Sequence, residues 1–407
     1  MRYFLILLLS AGPLFADDWP GFLGPRGDGS STETGLLKAF PATGPTVVWR
    51  KDIGSGFAGP VVVKDRVVLF HRVDDEERVE ALDAKDGSRL WKFAYPTEFK
   101  DDFGKGNGPR STPAIGGSRV VTLGADGWLH CLNLETGAKV WGRHLPRDFT
   151  IGSNYFGVGS SPVIFEDRVL VNVGGKGAGI VAFGLEDGKE IWKATDHAAS
   201  YSTPTFARIE GEPRALFLTR EGAVMLDPRT GATLFTKRWR ARYDASVNAA
   251  SPLMLGDGRA FFSTSYETGG LLVKLTKDGG EPVWTNDETM SNHYNTCVVS
   301  EGMLYGIDGR QESGARLRCV DPARPKVLWT QERFGCASLL IADKMLIILT
   351  ERGDLILAEA NPRQYRSLAQ AKILTATPVR AAPALSNGRL YLRDARQMKC
   401  VDLRAAN

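Results

Sequence analysis

His293, between Asn292 and Tyr294 and just ahead of a strand-like run, is the group in this sequence best placed for acid–base chemistry. A general base needs an orienting partner within hydrogen-bond reach, and the sequence names none. The other histidines read as ordinary: His71 closes an apolar run, His130 lies inside one, and His144 follows a turn. Cys131, Cys297, Cys319, Cys336 and Cys400 form no C-x-x-C or adjacent pair. Several lie in alternating apolar runs and read as small buried hydrophobes. H-E-x-x-H, G-x-S-x-G and EF-hand-like acidic runs are absent. GGKGAG (174–179) has the composition of a phosphate loop, but no Ser or Thr follows its lysine, and a tight hairpin is the better reading.

These groups need a frame to position them. The chain has 407 residues, 24% charged and 43% hydrophobic, which is ordinary globular composition and excludes disorder, collagen and coiled coil for the whole. A net charge of +4 gives no electrostatic case for nucleic acid. Arg2, the apolar run Tyr3 to Leu9 and the small Ala16 read as a secretory signal peptide over 1–16. The run is too short to span a bilayer. The expectation is an exported protein, periplasmic or extracellular. No cysteine lies near residue 16, so no lipid or other membrane anchor is expected.

One phrase recurs along the chain: ALDAKDGSRLW (81–91), CLNLETGAKVW (131–141), AFGLEDGKEIW (182–192), MLDPRTGATLF (225–235), VKLTKDGGEPVW (273–284) and RCVDPARPKVLW (318–329). With Trp49, the aromatic ends are spaced by 42, 50, 51, 43, 49 and 45 residues, the range of propeller repeats. Each phrase reads as a strand, a turn opened by Asp, Asn or Pro and usually closed by Gly, and a second strand ending in a large aromatic. A second phrase opens each unit with a small or polar residue and a proline, as in GPVVV (59–63), TPAI (112–115) and SPVIF (161–165).

The openings fall at 60, 113, 162, 204, 252, 297, 338 and 383. The reading is all-β: an eight-bladed β-propeller of four-stranded antiparallel blades over 46–407. The last blade lacks a strand, and TVVWRKD (46–52) is an orphan that completes it. Residues 17–45 form an N-terminal arm, ordered through Trp19 and Phe22, with Arg26 reaching the central funnel. PTEFKDDFG (96–104) is expected to hold a turn of helix, and blade seven to be irregular at NPRQYRSLAQ (361–370).

In such a ring the first strand of each blade lines the channel, and the residues before it converge on one face. Those residues are Asn107 and Arg110; Asn154, Tyr155 and Phe156; His197, Tyr201 and Ser202; Asn248; Asn292, His293, Tyr294 and Asn295; Arg333 and Phe334; and Arg380. Together with Arg26 they suit a polar or anionic ligand. Solvated channel lining is the plainer reading of the same residues.

The repeated D-x-x-x-G…W phrase resembles the tryptophan-docking motif of quinoprotein propellers, both the pyrroloquinoline quinone (PQQ) dehydrogenases and the BamB-type scaffold of outer-membrane assembly. DWPGFLGPRGDG (17–28), GPRSTP (108–113), YSTP (201–204), NAASP (248–252) and NHYNTC (292–297) resemble exported bacterial PQQ-like propeller proteins more closely. In the dehydrogenases the resemblance implies adjacent cysteines, a Ca²⁺ site of Glu, Asn and Asp, and a catalytic Asp. Adjacent cysteines and the haem signature C-x-x-C-H are absent here. The leading expectation is therefore a monomeric scaffold for a protein partner or small polar ligand, with no cofactor and no metal. The alternatives are a small PQQ- and calcium-dependent oxidoreductase of alcohols or sugars, and a quinone-free enzyme built on His293 with nearby Tyr and Arg.

Overall fold

The computed structural model describes residues 17–104, 106–151, 157–243 and 246–405. Eight four-stranded antiparallel sheets form the body, and in seven of them the strands pair in chain order. Blade one comprises Val61–Val63, Arg66–Val73, Glu76–Asp83 and Arg89–Pro96. The first strands of the other blades are Ala114–Gly116, Val163–Phe165, Thr205–Ile209, Leu253–Met254, Val298–Ser300, Ala337–Ala342 and Ala384–Ser386. First strands touch between blades one and two, two and three, six and seven, and eight and one, which places them at the axis. The ring closes as the sequence implies: Val47–Asp52 pairs with Gln397–Asp402 as the outer strand of blade eight.

Burial follows from the stacking of blades. Arg66–Val73 is buried along both faces, because a neighbour covers each side. The outer strand Arg89–Pro96 buries Trp91 and exposes Leu90, since only one of its faces meets a neighbour. Val140, Ile191 and Val283 are exposed in the same way beside their tryptophans.

The tryptophans join blade to blade. The indole N–H of Trp49 donates to Ala84 O (3.1 Å), Trp91 to Leu134 O (2.8 Å), Trp141 to Leu185 O (2.9 Å) and Trp192 to Pro228 O (3.2 Å). Trp284 and Trp329 bond Pro322 O and Asn361 O at 2.8 and 2.9 Å. Every acceptor lies in the turn phrase of the next blade. The turn glycine makes room for the ring: Gly137 has φ +72°, and a Cβ there would lie 2.5 Å from Trp91. Gly188 and Gly231 stand in the same relation to Trp141 and Trp192.

Two local expectations are corrected. Residues 96–104 form no helix, because Thr97 Oγ1 accepts from the Phe99 amide (3.3 Å) and Asp101 Oδ1 from the Phe103 amide (3.0 Å), bonds that compete with a helical turn. The helical segments among the described residues are Leu145–Asp148 and the 3₁₀ turn Gln311–Ser313. Blade seven is regular in its strands. Ser367–Lys372 pairs with Asp354–Glu359, and Ala369 takes the aromatic's place opposite Leu357. Only its turn is longer, and Trp329 still docks there. The 174–179 segment is the tight hairpin between Arg168–Gly175 and Ala178–Gly184, as expected.

The arm lies across one end of the channel. Trp19, 1% exposed, exchanges backbone hydrogen bonds with Val62 (2.7 and 2.8 Å). Pro20 O accepts from Ile115 N (2.7 Å), and Gly29 and Ser31 bond Ile341 (2.9 and 2.8 Å). The arm thereby bridges the first strands of blades one, two and seven. Its later part holds the last strand of blade eight, where Leu37 N donates to Leu403 O (2.6 Å). Residues 1–16, the expected signal peptide, lie outside the described residues.

Thermal unfolding tests both devices. Gly137→Ala is expected to cost roughly 2–5 kcal/mol from the left-handed backbone and the ring contact together. Gly117→Ala, at φ +57° with nothing within 4 Å of the new Cβ, bears the backbone cost alone. Equal losses at the two sites would remove the ring from the account. Deleting 17–28 is expected to lower the melting temperature, since loss of Trp19 alone forfeits about 3–5 kcal/mol of burial; an unchanged value means the arm staples nothing.

Candidate functional site

In blades one to six the residue just before the opening strand takes part in a latch to a neighbouring blade. Gly59 N donates to Thr112 Oγ1 (3.0 Å), Thr112 N to Ser161 Oγ (2.9 Å), Ser161 N to Thr203 Oγ1 (3.2 Å) and Ser251 N to Thr296 Oγ1 (2.9 Å). Small hydroxyl residues recur there because each hydroxyl satisfies the buried amide of the preceding blade. Two residues earlier, the chain faces the axis. Phe57, Arg110, Gly159, Tyr201, Ala249, Tyr294 and Arg380 hold that position in every blade but the seventh, and all line one cavity of about 250 Å³. Phe22 of the arm lines this cavity and also the cavity of about 590 Å³ on the arm side, so it separates the two along the channel.

Arg110, Tyr201, His293, Tyr294 and Arg380 are thus brought together. Other expected residues lie elsewhere. Arg26 does not reach the funnel: its guanidinium folds back onto Ser30 Oγ (2.8 Å), Ser30 O (2.7 Å) and Asp17 (3.3 Å) at the arm side. Asn107 is exposed and accepts from Asp101 N (2.9 Å). Asn248 is 3% exposed and ties Thr219 O (2.8 Å) to Trp239 O (3.1 Å). Asn295 is buried outside the lining. His197 bonds Thr219 (2.9 Å), and Phe334 packs on Tyr365. Asn154, Tyr155 and Phe156 lie outside the described residues.

Arg110 pairs with Asp101 (3.1 Å) and bonds Gly106 O and Gly108 O (2.9 and 3.0 Å). Burial pulls its pKa down, against the opposing pull of Asp101. Arg380 donates Nε to Glu351 (2.8 Å). Burial is the largest single influence and disfavours its charge, yet the bond and charge of Glu351 together with Tyr294 outweigh it and hold the pKa above the ordinary value. Both guanidiniums lie over the Phe57 ring, at 5.9 and 5.5 Å from its centroid.

His293 has both ring nitrogens engaged, Nε2 with Tyr266 OH (2.8 Å) and Nδ1 with Gln311 Oε1 (3.0 Å). Burial lowers its pKa and favours the neutral ring. With Gln311 accepting from Nδ1, Tyr266 donates to Nε2, so the only free lone pair of the imidazole is already taken. The pattern holds a wall in place and offers no base to a substrate. Tyr266 and Gln311, missed by the sequence reading, lie on connections between the second and third strands of blades five and six. Gly309–Ala315 is long beside Asp74–Asp75 in blade one, which was the available signal. A cleft of about 650 Å³, from Tyr243 and Tyr266 to Ser291 and Arg316, adjoins the central cavity through Tyr266.

The fold and the docked indoles define an eight-bladed propeller of the quinoprotein type. The family described as "Outer membrane protein assembly factor BamB" matches residues 30–208, 75–331 and 220–407, and the chain belongs to that family. The chain is 31% identical over 238 residues to BamB of Burkholderia pseudomallei, covering 56% of this chain and 55% of that protein. It is 24% identical over 316 residues to BamB of Shewanella oneidensis, covering 72% and 73%. The match thus spans about half the first relative's length. Among solved structures, BamB from Moraxella catarrhalis superposes with TM-score 0.65 at 15% identity, over 89% of this chain and 98% of that one. Quinohemoprotein alcohol dehydrogenase from Comamonas testosteroni gives 0.69 at 15% identity, over 96% and 81%. At such identities the structures share a fold.

The described residues do not fit a quinone with calcium as the dehydrogenase resemblance implies it. All five thiols are buried and unpaired, and none lines the cavity. Burial pushes Cys131 and Cys297 up to about 12, so they stay protonated. Of the Glu, Asn and Asp that such a calcium site needs, the cavity lining supplies Glu312 alone among the described residues.

Near the Arg110 wall, Glu77 is fully buried, accepting from Tyr95 OH (2.6 Å) and Ala125 N (3.1 Å). Burial raises its pKa to about 7 from 4.5. The folded chain then keeps a proton that the unfolded chain releases. Stability is fully present below the unfolded value and declines as pH rises towards 7, by on the order of 3 kcal/mol. The melting temperature is expected to fall between pH 5 and 8, and Glu77→Gln to flatten that slope; an unaltered slope assigns the pH dependence elsewhere.

Proposed function

We propose that this chain is an exported scaffold that binds a protein partner through its funnel face, as a single subunit and without a catalytic step. The observation that carries the reading is the concave surface formed where the central cavity meets the cleft between blades five and six at Tyr266. Tyrosine and arginine, the residue types that dominate binding hot spots, are concentrated there. The engaged His293 supports binding over acid–base catalysis. Membership of the BamB family supports a protein partner and a place outside the cytoplasm, in a task related to the outer-membrane assembly for which its relatives are named. The expected leader over 1–16 points the same way. The reading includes no nucleic acid, quinone or metal.

Site-specific photo-crosslinking tests the face. Tyr243 borders the cleft and is 54% exposed, while Val283 on an outer strand is 51% exposed. With p-benzoylphenylalanine at each position, irradiation in the native host is expected to yield a discrete protein adduct from position 243 and none from position 283. Adducts from both sites, or from neither, overturn the reading.

A further inference from the structure

The funnel has a chemistry more specific than a general docking face. Arg110 and Arg380 come from blades two and eight, and their side chains are only 10% and 18% exposed. Both lie over one aromatic ring, Phe57, and Arg380 also lies over Tyr294 at 5.5 Å. Glu351 takes Arg380 through Nε alone, and among the described residues no carboxylate takes its Nη pair. The acid at the rim, Glu312, is turned onto Arg310 (3.8 Å) and Gln311 Nε2 (2.8 Å). The cavity therefore joins two arginines, each ion-paired with a carboxylate (Asp101 and Glu351), to an apolar aromatic wall.

Its shape narrows the occupant further. About 250 Å³ is below the ~300–1,000 Å³ of pockets for drug-sized ligands, so it takes roughly one residue. Phe22 lines the far side, between this cavity and the one beside the arm. A chain end delivers a carboxylate and a side chain from the same residue, which matches an arginine edge beside an aromatic wall. An internal Asp or Glu brings the acid without the adjoining apolar group.

We propose that the funnel captures the free C-terminal carboxylate of the partner polypeptide on Arg380 and Arg110, with its last side chain against Phe57 and Phe22 and the preceding residues along the Tyr266 cleft. Capture of a chain terminus is a known recognition mode, and charge-assisted bonds to a guanidinium give it direction. This inference rests on the scaffold reading.

The test uses the mature full-length chain and two bead-bound octapeptide libraries, one with free C-terminal acids and one with C-terminal amides. The expected result is at least tenfold greater retention of the protein by the acid library, with enrichment of apolar or aromatic last residues. The paired change Arg380→Gln with Glu351→Gln keeps a neutral polar pair behind the wall, and its fold is checked by an unchanged melting temperature. It is expected to abolish the acid preference. Phe22→Ala, outside the ion pairs, is expected to reduce retention of aromatic ends. As a competitor, 3-phenylpropionate is expected to displace the acid peptides, and 3-phenylpropanamide is not. Equal retention of both libraries, retention of neither, or a preference that survives the paired change overturns the inference. Position 243 crosslinking judges the scaffold reading separately, so a protein adduct together with equal library retention removes only the chain-end specificity.

Discussion

The structure depends on one repeated contact: an indole laid on the backbone of the next blade's turn. Each docked tryptophan gives its N–H to a carbonyl of that turn, and for Trp49, Trp91, Trp141 and Trp192 the ring lies on a surface that only glycine leaves open. A buried N–H···O bond contributes about 1 kcal/mol, while a tryptophan side chain removes roughly 150–250 Å² from water, worth about 4–6 kcal/mol. The ring, more than the bond, therefore sets the strength, and the bond sets the orientation. Phe235 agrees with this ranking: it keeps the aromatic area of its blade without any N–H to give. Blade seven marks the other limit. It receives Trp329 on a turn without glycine, and Tyr365 packs on that indole at 5.9 Å.

Docking and latching secure the blades from outside and inside, and neither dictates the residue type of the positions between. The position three residues ahead of each opening proline bears Phe57, Arg110, Gly159, Tyr201, Ala249 and Arg380. Such diversity at one geometric site contrasts with the hydroxyls two residues later, where the amide of the preceding blade demands an acceptor. Function on this frame is accordingly a matter of what is placed at that variable position, in keeping with the rule that one fold hosts many functions.

The frame was legible because its causes are local. A turn glycine, an aromatic at fixed distance and an opening proline each follow from backbone geometry, and counting them located all eight blades and the N-terminal closure. The site was legible only in part. Arg110, Tyr201, Tyr294 and Arg380 shared an offset that could be read directly, and Phe57 shared it unread. Asn248 and Asn295 had the composition of a rim, yet Asn248 serves two backbone carbonyls, a demand that exists only once the blades are assembled. Arg26 failed for a similar reason. Its partners Asp17 and Ser30 are near in sequence, but which way it turns depends on the path of the arm across the channel.

That path has the larger consequence for function. An open propeller channel is a solvent conduit in which arginines and tyrosines are hydrated from both ends. Phe22 lies between the two sides, and the guanidinium of Arg380, largely buried in the lining, has Glu351 as its ion-pair partner. In that setting charge–charge attraction is screened less than at an open surface. The same enclosure holds His293 between Tyr266 and Gln311 as a neutral wall element. An arm tied to blades one, two and seven thereby decides the character of a site whose polar groups come from blades two, four, five, six and eight, and the arm's own contribution to that site is a single apolar ring.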